Sequence, residues 1–195
     1  KLKDDWETKL TAQLKPEARP IQLEYAISVI RDAWAKDRML LADVGNFMSR
    51  TRAYYDTCQP DSFIIVEAFS ALGTVFPTSL GVQLALPRRQ VVCLNGDGAF
   101  FFNMAEMETS VRENLPVKVF IFDDMGYGSV ATRQKKAYAG RIIGTEFKNP
   151  NFANVAREFG VYGEQIADPH ELPGAVRRAF AHDGPTVLDI LTSRE

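Results

Sequence analysis

Hydrophobic and polar positions along the chain follow two alternating rhythms. Short apolar runs are bounded by glycine, proline or acidic residues: Met39-Leu40-Leu41-Ala42, Phe63-Ile64-Ile65-Val66, Val91-Val92-Cys93-Leu94, Val117 to Phe122, Val161 to Ile166 and Thr186 to Leu191. Such runs read as strands buried on both faces. Between them the apolar residues take helical spacing. Leu23, Ile27, Ile30 and Trp34 share a face of a helix over 21–36; a helix over 78–85 follows; and Met104, Met107, Val111 and Leu115 predict one continuous helix over 99–115. Phe152, Val155, Ala156 and Phe159 give the next helix, and Leu172, Val176, Ala179 and Phe180 the last. Asp168-Pro169-His170-Glu171 reads as the cap of that last helix, with Glu171 closing a capping box. The alternation predicts an α/β domain: a doubly wound, mostly parallel six-stranded sheet with helices on both faces and a ligand at the carboxyl edge of its strands. Ahead of it, Trp6, Leu10 and Leu14 mark a peripheral helix and linker over 1–19, which leaves 20–195 as the domain.

Two strand ends carry the candidate chemistry. The third run leads into Gly96-Asp97-Gly98, a turn followed by a helix, where glycines allow close backbone approach and free N–H groups favour a phosphate. Asp97 would repel a bare phosphate, so a divalent cation is expected between the two anions. The fourth run ends in Asp123-Asp124-Met125-Gly126-Tyr127-Gly128, a second acidic turn at βαβ distance from the first. Neighbouring parallel strands bring both turns to one edge, where hard oxygen ligands converge.

Here the chain resembles the thiamine diphosphate enzymes of the acetolactate synthase, pyruvate decarboxylase and benzoylformate decarboxylase group. The family's cofactor motif opens with GDG and closes about thirty residues later with two asparagines, a layout that the stretch from Gly96 to Asp124 follows. The likeness takes in Glu106, Thr109, Arg112 to Lys118, Leu72-Gly73, Pro77, Asn149-Pro150 and Phe159-Gly160-Val161, and spans about residues 20–192. It points to the domain that holds the cofactor's diphosphate. It implies that Asp97, Asp124 and the backbone carbonyl of Gly126 hold Mg²⁺. It further implies cofactor contacts from Gly45, Asn46, Gly96, Gly98, Ala99, Phe100, Tyr127 and Gly128, a carbonyl at Ser70 that accepts from the 4′-amino group, and Leu72 as the bulky residue that bends the cofactor. On residue pattern alone, Gly45-Asn46 is equally a simple turn with a helix cap at Asn46, and Leu72 a core residue. The departure is Asp123-Asp124 in place of two asparagines: the added charge strengthens a cation and weakens an anionic diphosphate.

In the family, a glutamate that activates the pyrimidine ring comes from a separate domain, commonly across a subunit interface. No motif for it occurs here, so no catalytic side chain is assigned to this chain. The resemblance implies a partner pyrimidine-binding domain on the same or another chain, a homo- or hetero-oligomer, and a 2-oxo acid substrate for decarboxylation or carboligation. Three other readings stand beside it: a non-catalytic relative with impaired cofactor binding, a receiver-type signalling module with paired acids, and a dinucleotide-binding oxidoreductase. The last is weakened by the absence of GxGxxG after a strand.

Composition narrows the classes. A formal net charge of −2 and no basic stripe give no nucleic-acid signature. No apolar run approaches the roughly 20 residues of a membrane span, which makes cytoplasmic the default. Cys58 and Cys93 are too few for a disulfide framework. The chain starts at Lys1, which suggests a fragment or a processed chain. The stretch 127–150, rich in glycine and with Arg133, Lys135, Lys136, Arg141 and Lys148, is expected to be an irregular connection. It is either a lid over the ligand or a charged loop ordered by a partner subunit. His170 and His182 are expected to be exposed or capping rather than catalytic.

Overall fold

Alternate side chains along each strand pack into two different cores. Leu40 and Ala42, Val92 and Leu94, Phe120 and Phe122, and Leu188 and Ile190 join one cluster. Leu41, Val91, Cys93, Val119, Ile121 and Val187 join the other. A strand has a side-chain period of two, so unbroken apolar runs are what a sheet covered on both faces requires. In this computed structural model, which describes residues 2–33, 37–66 and 69–194, the runs become β1 (Met39–Ala42), β2 (Phe63–Ile65), β3 (Val91–Gly96), β4 (Lys118–Asp123), β5 (Tyr162–Ile166) and β6 (Thr186–Leu191). They form one six-stranded sheet in the order β2-β1-β3-β4-β6-β5, with every pairing parallel rather than most of them.

Helices cover both faces. On one side lie α1 (Leu2–Thr11), α2 (Leu23–Asp32), α3 (Asn46–Tyr54) and, near the other end of the sheet, a helix over Leu172–Ala181. The α2 stripe buries Leu23, Ile27 and Ile30 as predicted; Trp34 lies outside the described residues. On the opposite side lie α4 (Val75–Ala85), α5 (Asp97–Asn103), α6 (Met107–Arg112) and a helix over Phe152–Glu158. With α7 at Gly128–Ala137, these last two helices become α8 (Phe152–Glu158) and α9 (Leu172–Ala181).

Three expectations are corrected. The helix predicted over 99–115 is broken by a 3-10 turn at Met104–Glu106. Asn103 causes the break: its backbone leaves the helical region (φ −137°, ψ 20°) while its side chain donates to the Gly73 carbonyl at 3.0 Å. The apolar face survives the break, with Met107 and Leu115 buried and Met104 and Val111 packed on them. Glu171 makes no capping bond. Asp168 accepts instead from the His170 N–H at 3.0 Å, so the turn closes on itself and α9 starts at Leu172 with Pro173 in its first turn. The stretch 127–150 is not irregular throughout, because residues 128–137 form α7.

Candidate active site at the carboxyl edge

The direction in which strands are added reverses at β1: β2 lies on one side of it, and β3 opens the other half of the sheet. Open α/β sheets have their crevice at such a switch point, outside the carboxyl ends of the strands. A cavity of about 320 Å³ occupies that position. Its walls are the segments that follow β1, β3, β4 and β6, together with Ser70 and Leu72 beyond β2.

The cavity collects Gly45, Asn46, Ser70, Leu72, Gly96, Asp97, Gly98, Ala99, Asp124, Gly126, Tyr127 and Gly128. Phe100 does not join them. It is 1% exposed and packs its ring against Phe76 and Phe152 in the core, because it falls on the face of α5 that meets the sheet. Asn46 is not a side-chain cap either: α3 begins at Asn46, behind Gly45, without a capping bond. Sequence reasoning missed Leu23, Val44, Phe47, Ser129, Val130, Thr192, Ser193 and Arg194 on the walls, read Phe122 only as the end of a strand, and placed Arg133 only within a basic loop. Neither histidine lines the cavity: His170 pairs with Glu17 and His182 ends α9.

Asp97 is the first residue of α5 and nearly buried. Its Oδ1 accepts from the Gly98 N–H at 2.7 Å, and its Oδ2 accepts from the Gly126 N–H at 3.0 Å and from Asn149 Nδ2 at 2.6 Å. The two acidic turns are therefore hydrogen-bonded to each other. In the second turn, Asp123 Oδ1 accepts from the Met125 N–H at 3.0 Å and from Asn149 Nδ2 at 2.6 Å. Asp124 points its Oδ2 onto the Cα of Gly128, where any side chain would collide with it, and its buried Oδ1 has no hydrogen-bond partner. Arg194 lies over this turn, with Nη2 donating to the carbonyls of Asp124 at 2.7 Å and Met125 at 3.0 Å, and Nε 3.9 Å from Asp124 Oδ1.

Crowding of carboxyls sets the electrostatics. Burial pushes Asp97 up to about 7 against hydrogen bonds from Asn149 and Gly98, with Asp123 and Asp124 adding to the rise. Burial likewise pushes Asp124 up to about 6, opposed by Arg194 and reinforced by Asp123. Asp189, inside β6, is raised to about 6 by burial and by Asp123. Asp43 is also raised by burial, but its role is structural: Oδ2 accepts from the Gly73 and Val75 N–H groups at 3.1 and 3.4 Å, tying the end of β1 to the segment that carries Leu72. Ser70 (φ 48°) and Met125 (φ 57°) hold left-handed backbone at the cavity, a local strain of about 1–3 kcal/mol each that clusters at functional sites.

The end of the connection after α7 clasps the second turn. The Tyr127 N–H donates to the Thr145 carbonyl at 2.8 Å, the Phe147 N–H to the Met125 carbonyl at 3.2 Å, and the Phe147 ring packs on Tyr127. Residues 145–149 are thus an outer wall of the acidic turn, and α7 lines the cavity through Gly128, Ser129, Val130 and Arg133. Apolar surface is left beside the site, with Met125 51% and Phe69 94% exposed.

Comparison with known proteins places this geometry. Residues 43–190 match the family described as thiamine pyrophosphate enzyme, C-terminal TPP binding domain. Over 155 residues the chain is 32% identical to a probable acetolactate synthase large subunit of Methanococcus aeolicus, covering 79% of this chain and 26% of that protein. It is 28% identical over 212 residues to the sulfoacetaldehyde acetyltransferase of Castellaniella defragrans, covering 99% of this chain and 36% of the relative. The fold superposes on a thiamine diphosphate-dependent 4-hydroxybenzoylformate decarboxylase of Rhodococcus jostii with a TM-score of 0.86 at 23% identity, covering 93% of this chain and 34% of that one. The chain spans from about a quarter to just over a third of the length of these proteins.

Proposed function

Because this chain belongs to the thiamine pyrophosphate enzymes, as an acetolactate synthase-like C-terminal TPP binding domain, we propose that its cavity takes thiamine diphosphate through Mg²⁺ and supplies the diphosphate half of an active site acting on 2-oxo acids. The membership sets aside the receiver and dinucleotide readings. One observation carries the proposal: Asp97 and Asp124, from two strand-end turns bonded to each other, share one cavity, and Asp124 Oδ1 is buried there without a hydrogen bond, Arg194 Nε standing 3.9 Å away.

A buried carboxylate oxygen without a hydrogen bond is costly unless a cation or proton meets it closely, and Arg194 Nε at 3.9 Å is beyond hydrogen-bond distance. The residues therefore fit the metal. Among the described residues no three His, Cys, Asp or Glu side chains group as metal ligands. Asp97, Asp124 and the Gly126 carbonyl would hold the ion, leaving its remaining positions to phosphate oxygens and water, the common arrangement for Mg²⁺. For the anion, α3 and α7 begin at the cavity with Asn46 and Gly128, and helix starts present free N–H groups and partial positive charge. The cofactor supplies the carbanion and electron sink. The chain's own part is to bind and orient: backbone at Gly96 to Ala99 and Gly126 to Gly128 for the diphosphate end, and Leu72 and the Ser70 carbonyl toward the rings.

No carboxylate for the pyrimidine ring is assigned, so the chain alone is expected to bind without turning over, and to need a partner domain over the apolar surface at Phe69 and Met125. Calorimetric titration with thiamine diphosphate tests the reading, run once with Mg²⁺ and once in excess chelator. Binding that needs the metal supports it, and equal binding in chelator overturns the metal bridge. A second reading, a relative that has lost cofactor binding, is favoured by the charge of Asp123-Asp124, and absence of binding at millimolar cofactor would establish it.

A further inference from the structure

Asn149 sits on neither acidic turn, yet its side-chain nitrogen donates to both, at 2.6 Å to Asp97 Oδ2 and 2.6 Å to Asp123 Oδ1. An amide nitrogen has two N–H groups, so each carboxylate takes one. With both carboxyls ionised, as at pH 8, the opposite orientation of the amide would press its oxygen against two acceptors, which assigns the nitrogen to this end. The consequence is visible at the other end: Asn149 Oδ1 is buried with no partner. Asn149 is itself held firmly, because the preceding residues clasp the Met125 to Tyr127 turn through the Thr145 carbonyl and the Phe147 N–H, and the Phe147 ring packs on Tyr127 and Phe101.

We infer that Asn149 is the positioning residue of the cation site: a neutral double donor that joins the two acidic turns, aims Asp97 and offsets the charge that Asp123 brings beside it. The inference rests on the reading of Asp97 and Asp124 as cation ligands. Groups that hydrogen-bond to metal ligands commonly change metal affinity 10–100-fold when removed. Without Asn149, the Asp97 and Asp123 carboxylates keep their backbone donors at Gly98, Gly126 and Met125 but lose the side chain that bridges them. Removing the charge at Asp123 then relieves part of the loss.

The test uses the full chain, with Mn²⁺ as a spectroscopic stand-in for Mg²⁺, titrated in the presence of thiamine diphosphate at pH 8, and unfolding in urea as the check on folding. Asn149→Ala is expected to weaken Mn²⁺ at least tenfold, and Asn149→Ala with Asp123→Asn to recover at least threefold of that. Asn149→Ser keeps a single donor, should fall between the parent and the alanine variant, and serves if alanine fails to fold. Affinity unchanged in Asn149→Ala or in Asn149→Ser overturns the inference. A loss that Asp123→Asn does not relieve also overturns it, since the side chain would then act by packing alone. No Mn²⁺ or cofactor binding by the unmodified chain overturns the cofactor reading, and the inference with it.

Discussion

Replacing Asp97 by asparagine should make the metal-free chain more stable at pH 8 while removing its affinity for the cation. Burial raises the Asp97 carboxyl from its ordinary 3.8 to about 7. In the folded chain the carboxyl therefore holds a proton, between about pH 4 and 7, that the unfolded chain has released. Stability is fully present below the ordinary carboxylate value and is lost as pH climbs to about 7. At about 1.4 kcal/mol per tenfold in acid dissociation, the ionised Asp97 costs at most about 4 kcal/mol at pH 8. Asparagine at 97 removes that cost, but its NH2, placed where Oδ1 stood so that the oxygen still accepts from Gly126 and Asn149, meets the Gly98 N–H and forfeits a hydrogen bond worth about 1 kcal/mol. A net gain of about 1–3 kcal/mol follows, which for a chain of this size is roughly 2–12 °C in Tm. At pH 4.5, where the parent carboxyl is protonated, the gain should vanish. Urea unfolding in chelator at the two pH values measures both differences, and adding Mg²⁺ with thiamine diphosphate should stabilise the parent alone. A variant less stable than the parent at pH 8, or one whose advantage is the same at both pH values, would refute the reasoning.

Three further changes probe other parts of the site. Asp124→Asn removes one buried charge near the diphosphate, so cofactor affinity at fixed Mg²⁺ should hold or rise; a tenfold fall by calorimetry would show that the second carboxylate is required. Gly126→Ala drives a methyl group into the Thr145 carbonyl and to 2.8 Å from Arg194 Nη2, so the clasp must open and urea unfolding should show a loss of about 1–3 kcal/mol. Phe100→Leu, in the core rather than in the cavity, should cost about 1 kcal/mol of stability and leave cofactor affinity within about twofold; a large affinity loss would return Phe100 to the site.

The strands were legible because a doubly covered sheet forces apolar residues onto both faces, and Val91 to Leu94 or Val119 to Phe122 admit little else. The acidic turns were legible as a pair: glycine and aspartate are ordinary turn residues, but two such turns at successive strand ends, one βαβ unit apart, meet at one edge of a parallel sheet. What escaped the sequence depends on long-range contacts. The break at Met104 comes from Asn103 reaching Gly73, and the outer wall of the second turn comes from chain that looked like a loose basic loop. Nothing local to residues 145–149 says that they pair with 125–127, or that Arg194 lies over Asp124 seventy residues earlier.

Several local rules fail at the carboxyl edge. Asp97, Asp124 and Asp189 are carboxyls taken out of water beside Asp123, and Ser70 and Met125 hold left-handed backbone at the same edge. A domain selected for stability alone would not gather them, since each raises the free energy of the empty folded chain. Divalent charge reverses that balance: the groups that destabilise the empty site are those that would hold the ion most strongly. The folded but metal-free chain should then bind its cation with release of protons, and its affinity should climb from pH 6 to 8 as Asp97 and Asp124 ionise. Calorimetric titration in two buffers of different ionisation enthalpy counts those protons, and a count of zero at pH 6.5 would mean that the two carboxyls are not where the cation binds.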